Sequence, residues 1–186
     1  YQVKVKAAPA TGPWPGNGML RNFVVEDGDT PPTECDPEEV PCTENPVEGN
    51  LVTAKSSNPI SGSTVVPGQT VTYELTFRNN GAAPVDVDFT DSFVEALDDA
   101  DFEANSLTGV PLTWTVNNPI TDSIHLEGQL LPGTTVTVSY QLTVKTVAVG
   151  TPWPGDKLLG NFLFNTDDGP PTDCQPGDEN CTEHPV

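Results

Sequence analysis

Two segments of the chain alternate apolar and polar residues with a strict period of two. In "QTVTYELTF" Val71, Tyr73, Leu75 and Phe77 share one parity while Thr72, Glu74 and Thr76 share the other; in "TTVTVSYQLTV" the apolar series is Val136, Val138, Tyr140, Leu142 and Val144. Successive side chains of a strand point to opposite faces, so the pattern predicts half-buried β-strands. Apolar runs over 51–56, 84–93, 112–116, 123–126 and 158–164 predict five more, with "VPGQT", "RNNGAAP" and "LPGTT" as turns between strands. "VEALDDADFEAN" is the one segment with the pattern of a helical turn. Seven short strands punctuated in this way predict an all-β, immunoglobulin-like sandwich.

The same alternation exposes polar residues that are in phase with the core. In "APVDVDFTDSF" the apolar set is Val85, Val87, Phe89 and Phe93, and the residue completing that series is Asp91; Asp86 and Asp88 fall on the solvated parity. A carboxylate inside a core needs a partner, because burial without one costs several kcal/mol or forces protonation. Two other polar residues stand in apolar strands: Lys55 in "LVTAKSS" and Asn161 in "LLGNFLF". First and last strands of a sandwich can lie side by side, which would bring these three together. Burial favours the neutral, nucleophilic lysine amine. A protonated Asp91 hydrogen-bonding the Asn161 carbonyl would make its carbon electrophilic, and attack with loss of ammonia would leave a Lys55–Asn161 isopeptide bond. The alternative is structural: Lys55 snorkelling from an edge strand, Asn161 satisfying backbone groups and Asp91 serving a turn.

Shifted by 139 positions, the chain overlays itself without a gap. Trp14 falls on Trp153, Asn22 on Asn161, Cys35 on Cys174 and Val47 on Val186, and close to half of the 47 overlapped pairs are identical. A fixed period of this kind marks a tandem array. Residues 1–47 therefore read as the tail of one repeat, comprising its last two strands and a linker, and 48–186 as one complete repeat ending in a Pro-rich linker. Two strands alone cannot bury a face, so a neighbouring repeat or another copy of the chain is expected to complete residues 1–47. In the second case Asn22 would meet a lysine of another chain.

Composition narrows the setting. A net charge of -20 repels nucleic acid and anionic membrane surfaces. No stretch approaches the apolar length of a membrane span, and no leader opens the chain, so any export signal or wall anchor is expected outside it. The four cysteines form two copies of a C-x6-C spacing, Cys35 with Cys42 and Cys174 with Cys181. Zinc would need further ligands near each pair, and Asn45 replaces His184 in the first copy. Local disulfides are the better reading and imply an oxidising, extracytoplasmic setting. Each would remove about 2.5 kcal/mol of unfolded-state entropy.

The layout "AKSSNPISGSTVVPGQTVTYELTFRNNGAAPVDVDFTDSF…LPGTTVTVSYQLTVK…LLGNFLF" resembles the repeat domains of large surface proteins of Gram-positive actinobacteria, and is similar to the isopeptide-bonded domains of their pilins and adhesins. The resemblance spans 50–164, and the "TDCQPGDENCTEHPV" ending is typical of the actinobacterial repeats. It implies that the first-strand lysine maps to Lys55, the assisting acid to Asp91 and the last-strand asparagine to Asn161. It also implies an extracellular, cell-surface or wall-anchored stalk or fibre.

Other chemistry is sparse. A Thr–Gln ester is a related possibility, with Gln69, Gln129 and Gln141 as candidates. The acidic loops "VEDGDT", "NTDDGPPTD" and "LDDADFEAN" suit calcium by charge, though none has the spaced D-x-D-x-D-G pattern. Trp14 and Trp153, each in "PWPG", could stack on a glycan or cover an open end of the sandwich. His125, between Ile124 and Leu126, is expected to face solvent. No Ser-His-Asp or Cys-His set can be assembled and no phosphate loop is present, so no enzyme and no cofactor is expected. The sequence is expected to encode a structural repeat without turnover chemistry beyond self-cross-linking, with a calcium- or glycan-binding adhesion module as the alternative.

Overall fold

The computed structural model describes residues 2–4, 18–38, 40–175 and 178–186. Strands β1 (Met19–Phe23) and β2 (Cys42–Pro46) form an antiparallel hairpin. Nine strands follow: β3 (Leu51–Asn58), β4 (Thr70–Asn79), β5 (Val85–Ser92), β6 (Ala100–Phe102), β7 (Thr115–Val116), β8 (Ser123–Leu130), β9 (Thr135–Val144), β10 (Leu158–Asn165) and β11 (Cys181–Pro185). They build two antiparallel sheets, in the orders β3-β4-β9-β6 and β11-β10-β5-β8-β7, which pack as a β-sandwich. Among the described residues there is no α-helix.

The alternation produces the core directly. Val71, Tyr73, Leu75 and Phe77 of β4 are fully buried, as are Val138, Tyr140 and Leu142 of β9. They meet Val87 of β5, Ile124 and Leu126 of β8, and Leu159 and Leu163 of β10 from the other sheet. Each such side chain contributes about 1.5–3 kcal/mol on leaving water, so the central strands of the two sheets hold the sandwich together. Gly68 and Gly133, with φ of +81° and +70°, supply the left-handed residues of "VPGQT" and "LPGTT" that return the chain between strands.

The boundaries differ most from the sequence pattern in three places, and β8 also runs past 126 to Leu130. The segment read as a helical turn holds only a 3-10 turn at Val94–Ala96 and then enters β6. Of 112–116 only Thr115 and Val116 are strand. Pro111 turns the chain there, accepting from the Trp114 amide, and the indole lies so close over Gly128 that a β-carbon at that position would stand 2.3 Å from the ring. The segment from Cys181 onward, read as linker, is β11: it pairs with β10 from Leu158↔Pro185 to Phe162↔Cys181. "CTEHP" lacks the apolar alternation of an internal strand, but its outer edge is occupied by the loop after β3, through Gly62 N to Glu183 O and Val65 N to Pro185 O, both at 2.8 Å. The β1–β2 hairpin has the same register 139 residues earlier, from Met19↔Pro46 to Phe23↔Cys42.

Candidate cross-link site

Lys55 is the one buried residue of β3, its side chain wholly enclosed. The parity of Leu51, Thr53 and Lys55 turns it inward, and its backbone N–H donates to the Glu179 carbonyl at 2.6 Å. Asp91 lies in β5 opposite Leu163 of β10 and Ile124 of β8, with no exposure. Asn161 is on β10 between Leu159 and Leu163, in phase with both and fully buried. Tyr140 of β9 and Tyr73 of β4 are directly paired, their rings stacked at 5.3 Å and 18°.

These side chains converge on one point. Lys55 Nζ donates to Asp91 Oδ1 in an ion pair, and Tyr140 donates its hydroxyl hydrogen to Asp91 Oδ2. The Tyr140 oxygen accepts from Asn161 Nδ2 at 2.6 Å and from Lys55 Nζ at 3.5 Å. The ammonium also lies 5.2 and 5.7 Å from the centroids of Tyr73 and Tyr140. Asn161 Oδ1 and the Tyr73 hydroxyl make no hydrogen bond, although Asn161 lies near enough to favour the Tyr73 phenolate electrostatically. Burial pushes the Lys55 pKa below its usual value, with the Asp91 charge and hydrogen bond opposing the shift. Burial, then the Asp91 charge, holds the Tyr140 phenol well above its usual range, and burial raises Tyr73.

The arrangement brings Lys55, Asp91 and Asn161 into one buried cluster and alters two expectations. The first and last long strands are not neighbours in a sheet: β3 and β10 belong to opposite sheets, and only their side chains Lys55 and Asn161 meet the same Tyr140 hydroxyl. The sheet edge beside β10 is instead taken by β11. Nor does Asp91 reach the Asn161 carbonyl, because both its oxygens are engaged by Lys55 and Tyr140, and the phenol stands between Asp91 and the amide. Sequence reasoning missed Tyr140 as a site residue. The available signal was a phenol in a core position, since a buried Tyr hydroxyl usually needs a polar partner.

The other candidate residues lie apart. Asn22, the counterpart of Asn161, is exposed on β1 opposite Thr43. Both disulfides form, Cys35–Cys42 and Cys174–Cys181, each ending at the first residue of an edge strand, β2 or β11. Of the glutamines, Gln141 meets Thr72 Oγ1 at 3.2 Å on the outward parity of β4 and β9, Gln129 donates to Asp86 at 3.1 Å, and Gln69 caps the Val66 amide at 3.0 Å. His125 is partly exposed, its Nε2 2.8 Å from Asp88, whose pKa is lowered by that bond and by Thr166. His184 is fully buried: Nδ1 donates to the Ser63 carbonyl at 3.2 Å and Nε2 lies 3.0 Å from the Ser57 hydroxyl, so the neutral ring is satisfied at both nitrogens and burial lowers its pKa.

The acidic loop at 98–101 contributes to one candidate cation group, Asp98, Asp99 and Asp156, whose nearest oxygens lie within 4.8 Å of one another. Asp99 is nevertheless buried and committed. One oxygen accepts from the Trp153 indole, and the other from the Lys157 and Leu158 amides at 2.6 and 3.0 Å. Trp153 thus packs against the core with its N–H on Asp99; Trp14 lies outside the described residues. Among the described residues no helix is long and apolar enough to cross a membrane.

Residues 50–186 match a family described as a domain of unknown function, DUF7927. The chain belongs to that family. The matched span begins one residue before β3 and runs through β11, so the family unit contains the whole sandwich, the Lys55–Asp91–Tyr140–Asn161 cluster and the second disulfide. No curated protein and no solved structure matches the chain.

Proposed function

We propose that this domain is a load-bearing repeat of a bacterial surface protein or fibre, tied internally by a Lys55–Asn161 isopeptide bond formed with the help of Asp91. The observation that supports it most is the buried Lys55–Asp91 pair with Asn161 one phenol away. A covalent bond there would join β3 to β10 and so clamp the two sheets together, directly opposing separation of the ends of the sandwich. The two disulfides and the absence, among the described residues, of a membrane-crossing helix are compatible with an extracellular position. The 139-residue period and the identical hairpin registers support a tandem array in which stiff sandwiches follow one another as an extended stalk, with neighbouring repeats or further copies as partners.

The calcium-binding alternative rests on Asp98, Asp99 and Asp156, where the hydrogen bonds already accepted by Asp99 compete with a cation. The deciding experiment is the intact mass of the purified protein under reducing conditions, followed by a peptide map. A deficit of about 17 Da, the loss of one ammonia on acyl transfer to the amine, with Lys55 and Asn161 in one branched peptide, is the expected result. A full calculated mass would defeat the cross-link and leave a plain spacer.

A further inference from the structure

The geometry points to Tyr140 as a catalytic residue of the cross-link, the group that carries a proton from the attacking amine to the departing ammonia. This rests on the isopeptide reading above and adds a residue and a route to it. The route is continuous in the structure. Lys55 Nζ touches Asp91 Oδ1, the other oxygen of that carboxyl receives the Tyr140 hydroxyl hydrogen, and the Tyr140 oxygen lies 2.6 Å from Asn161 Nδ2, the atom that must leave. Asp91 makes no hydrogen bond to Asn161 itself, so a proton from the carboxyl reaches the leaving nitrogen through the phenol.

Lys55 gives one proton to Asp91 and becomes a neutral amine, the direction that burial favours. Its lone pair attacks Cγ of Asn161, forming the C–Nζ bond and placing the electron pair of the C=O bond on Oδ1. That pair returns as the C–Nδ2 bond breaks. Nδ2 leaves as ammonia after taking the Tyr140 hydroxyl hydrogen, Tyr140 takes the Asp91 proton, and Asp91 takes the surplus proton from Nζ. Nζ gives up two protons in all, one ending on Nδ2 and one left on Asp91, which finishes as the neutral carboxyl. The products are a secondary amide and ammonia, with Tyr140 restored and no oxidant or co-reactant consumed. Because the phenol is a weak acid in this enclosure, it passes its proton only as it receives one, which couples the two transfers.

Tyr73 supplies an internal comparison. It is the cross-strand partner of Tyr140, stacked on it and equally buried, but its hydroxyl, although near Asn161, makes no hydrogen bond to Lys55, Asp91 or Tyr140 and so has no proton to receive from the carboxyl. Wild type, Tyr140→Phe and Tyr73→Phe are synthesised cell-free, and the loss of ammonia is followed by intact mass in quenched time points, with thermal melting as the check on folding. Wild type and Tyr73→Phe are expected to cross-link at matching rates. Folded Tyr140→Phe is expected to be slower by about 100-fold or more, the usual worth of a positioned acid–base group. Equal rates in Tyr140→Phe and wild type overturn the relay while leaving the isopeptide intact, as does equal slowing by both substitutions. A wild type that never loses ammonia overturns the isopeptide and the relay together.

Should Tyr140→Phe fail to fold, the proton role is read from acidity at constant shape. The chain has 3 tyrosines, so difluorotyrosine supplied to a Tyr1→Phe, Tyr73→Phe background labels position 140 alone. A rate change of about threefold or more with unchanged melting supports proton transfer through this hydroxyl, and an unchanged rate overturns it.

Discussion

Asn161→Leu removes the electrophile while leaving the Lys55–Asp91 and Tyr140–Asp91 contacts in place. Leucine is close in size, and the amide oxygen it replaces has no hydrogen bond to lose. What disappears is the Nδ2 to Tyr140 bond and, if the cross-link forms, the tie between positions 55 and 161. That tie closes a loop of 161 − 55 = 106 residues. In the chain-entropy treatment a loop of this size is worth about 4.7 kcal/mol, and one buried hydrogen bond adds about 1 kcal/mol. Unfolding free energy should therefore fall by about 5–6 kcal/mol, and melting by about 15 °C for a domain of this size. Urea and thermal unfolding of wild type and variant, each with its mass measured, provide the assay. Wild type should show the ammonia deficit and the variant its full calculated mass. A fall of no more than about 1 kcal/mol, the worth of the single hydrogen bond, would refute the covalent tie as the source of stability.

Four further outcomes are expected. In Asn161→Leu, Lys55 remains an amine whose folded pKa lies below its ordinary 10.5, so the unfolded chain binds more protons between those values and stability should rise with pH through that window; above 10.0 the raised phenols of Tyr73 and Tyr140 reverse the slope, and cross-linked wild type should lack the Lys55 rise. His184, its pKa below the ordinary 6.5, contributes stability that is present above 6.5 and lost as pH falls below it; His184→Asn, the residue of the preceding copy, should flatten that acid limb in denaturant titrations. Asp99→Ala orphans the Trp153 indole and the Lys157 amide, while the Leu158 amide keeps Asp156 Oδ1 at 2.9 Å, and should cost about 2–4 kcal/mol by thermal unfolding; calcium should leave the wild-type melting temperature unchanged, since a rise would mean that a cation displaces those donors.

Period-two alternation marked β4 and β9 residue by residue, because a strand with one face in the core must place every second side chain there. It also singled out Asp91, a carboxylate falling in the apolar series of β5. The cysteine spacing was legible for a similar reason, since a C-x6-C pair can close locally with little help from the rest of the chain. For Lys55 and Asn161 the local pattern allowed both faces. Thr53 shares parity with Lys55, and Phe162 and Phe164 oppose Asn161, so direction depends on which sheet covers each strand. β11 carries no apolar series, as its place at the edge comes from backbone pairing with β10 and the loop after β3. Tyr140 read as one more core aromatic until the two sheets were stacked. Its ring belongs to the alternation of β9, but its hydroxyl acquires Asp91 and Asn161 only because β5 and β10 lie across the sandwich. Such contacts join residues far apart in sequence, and nothing local to any one strand encodes them.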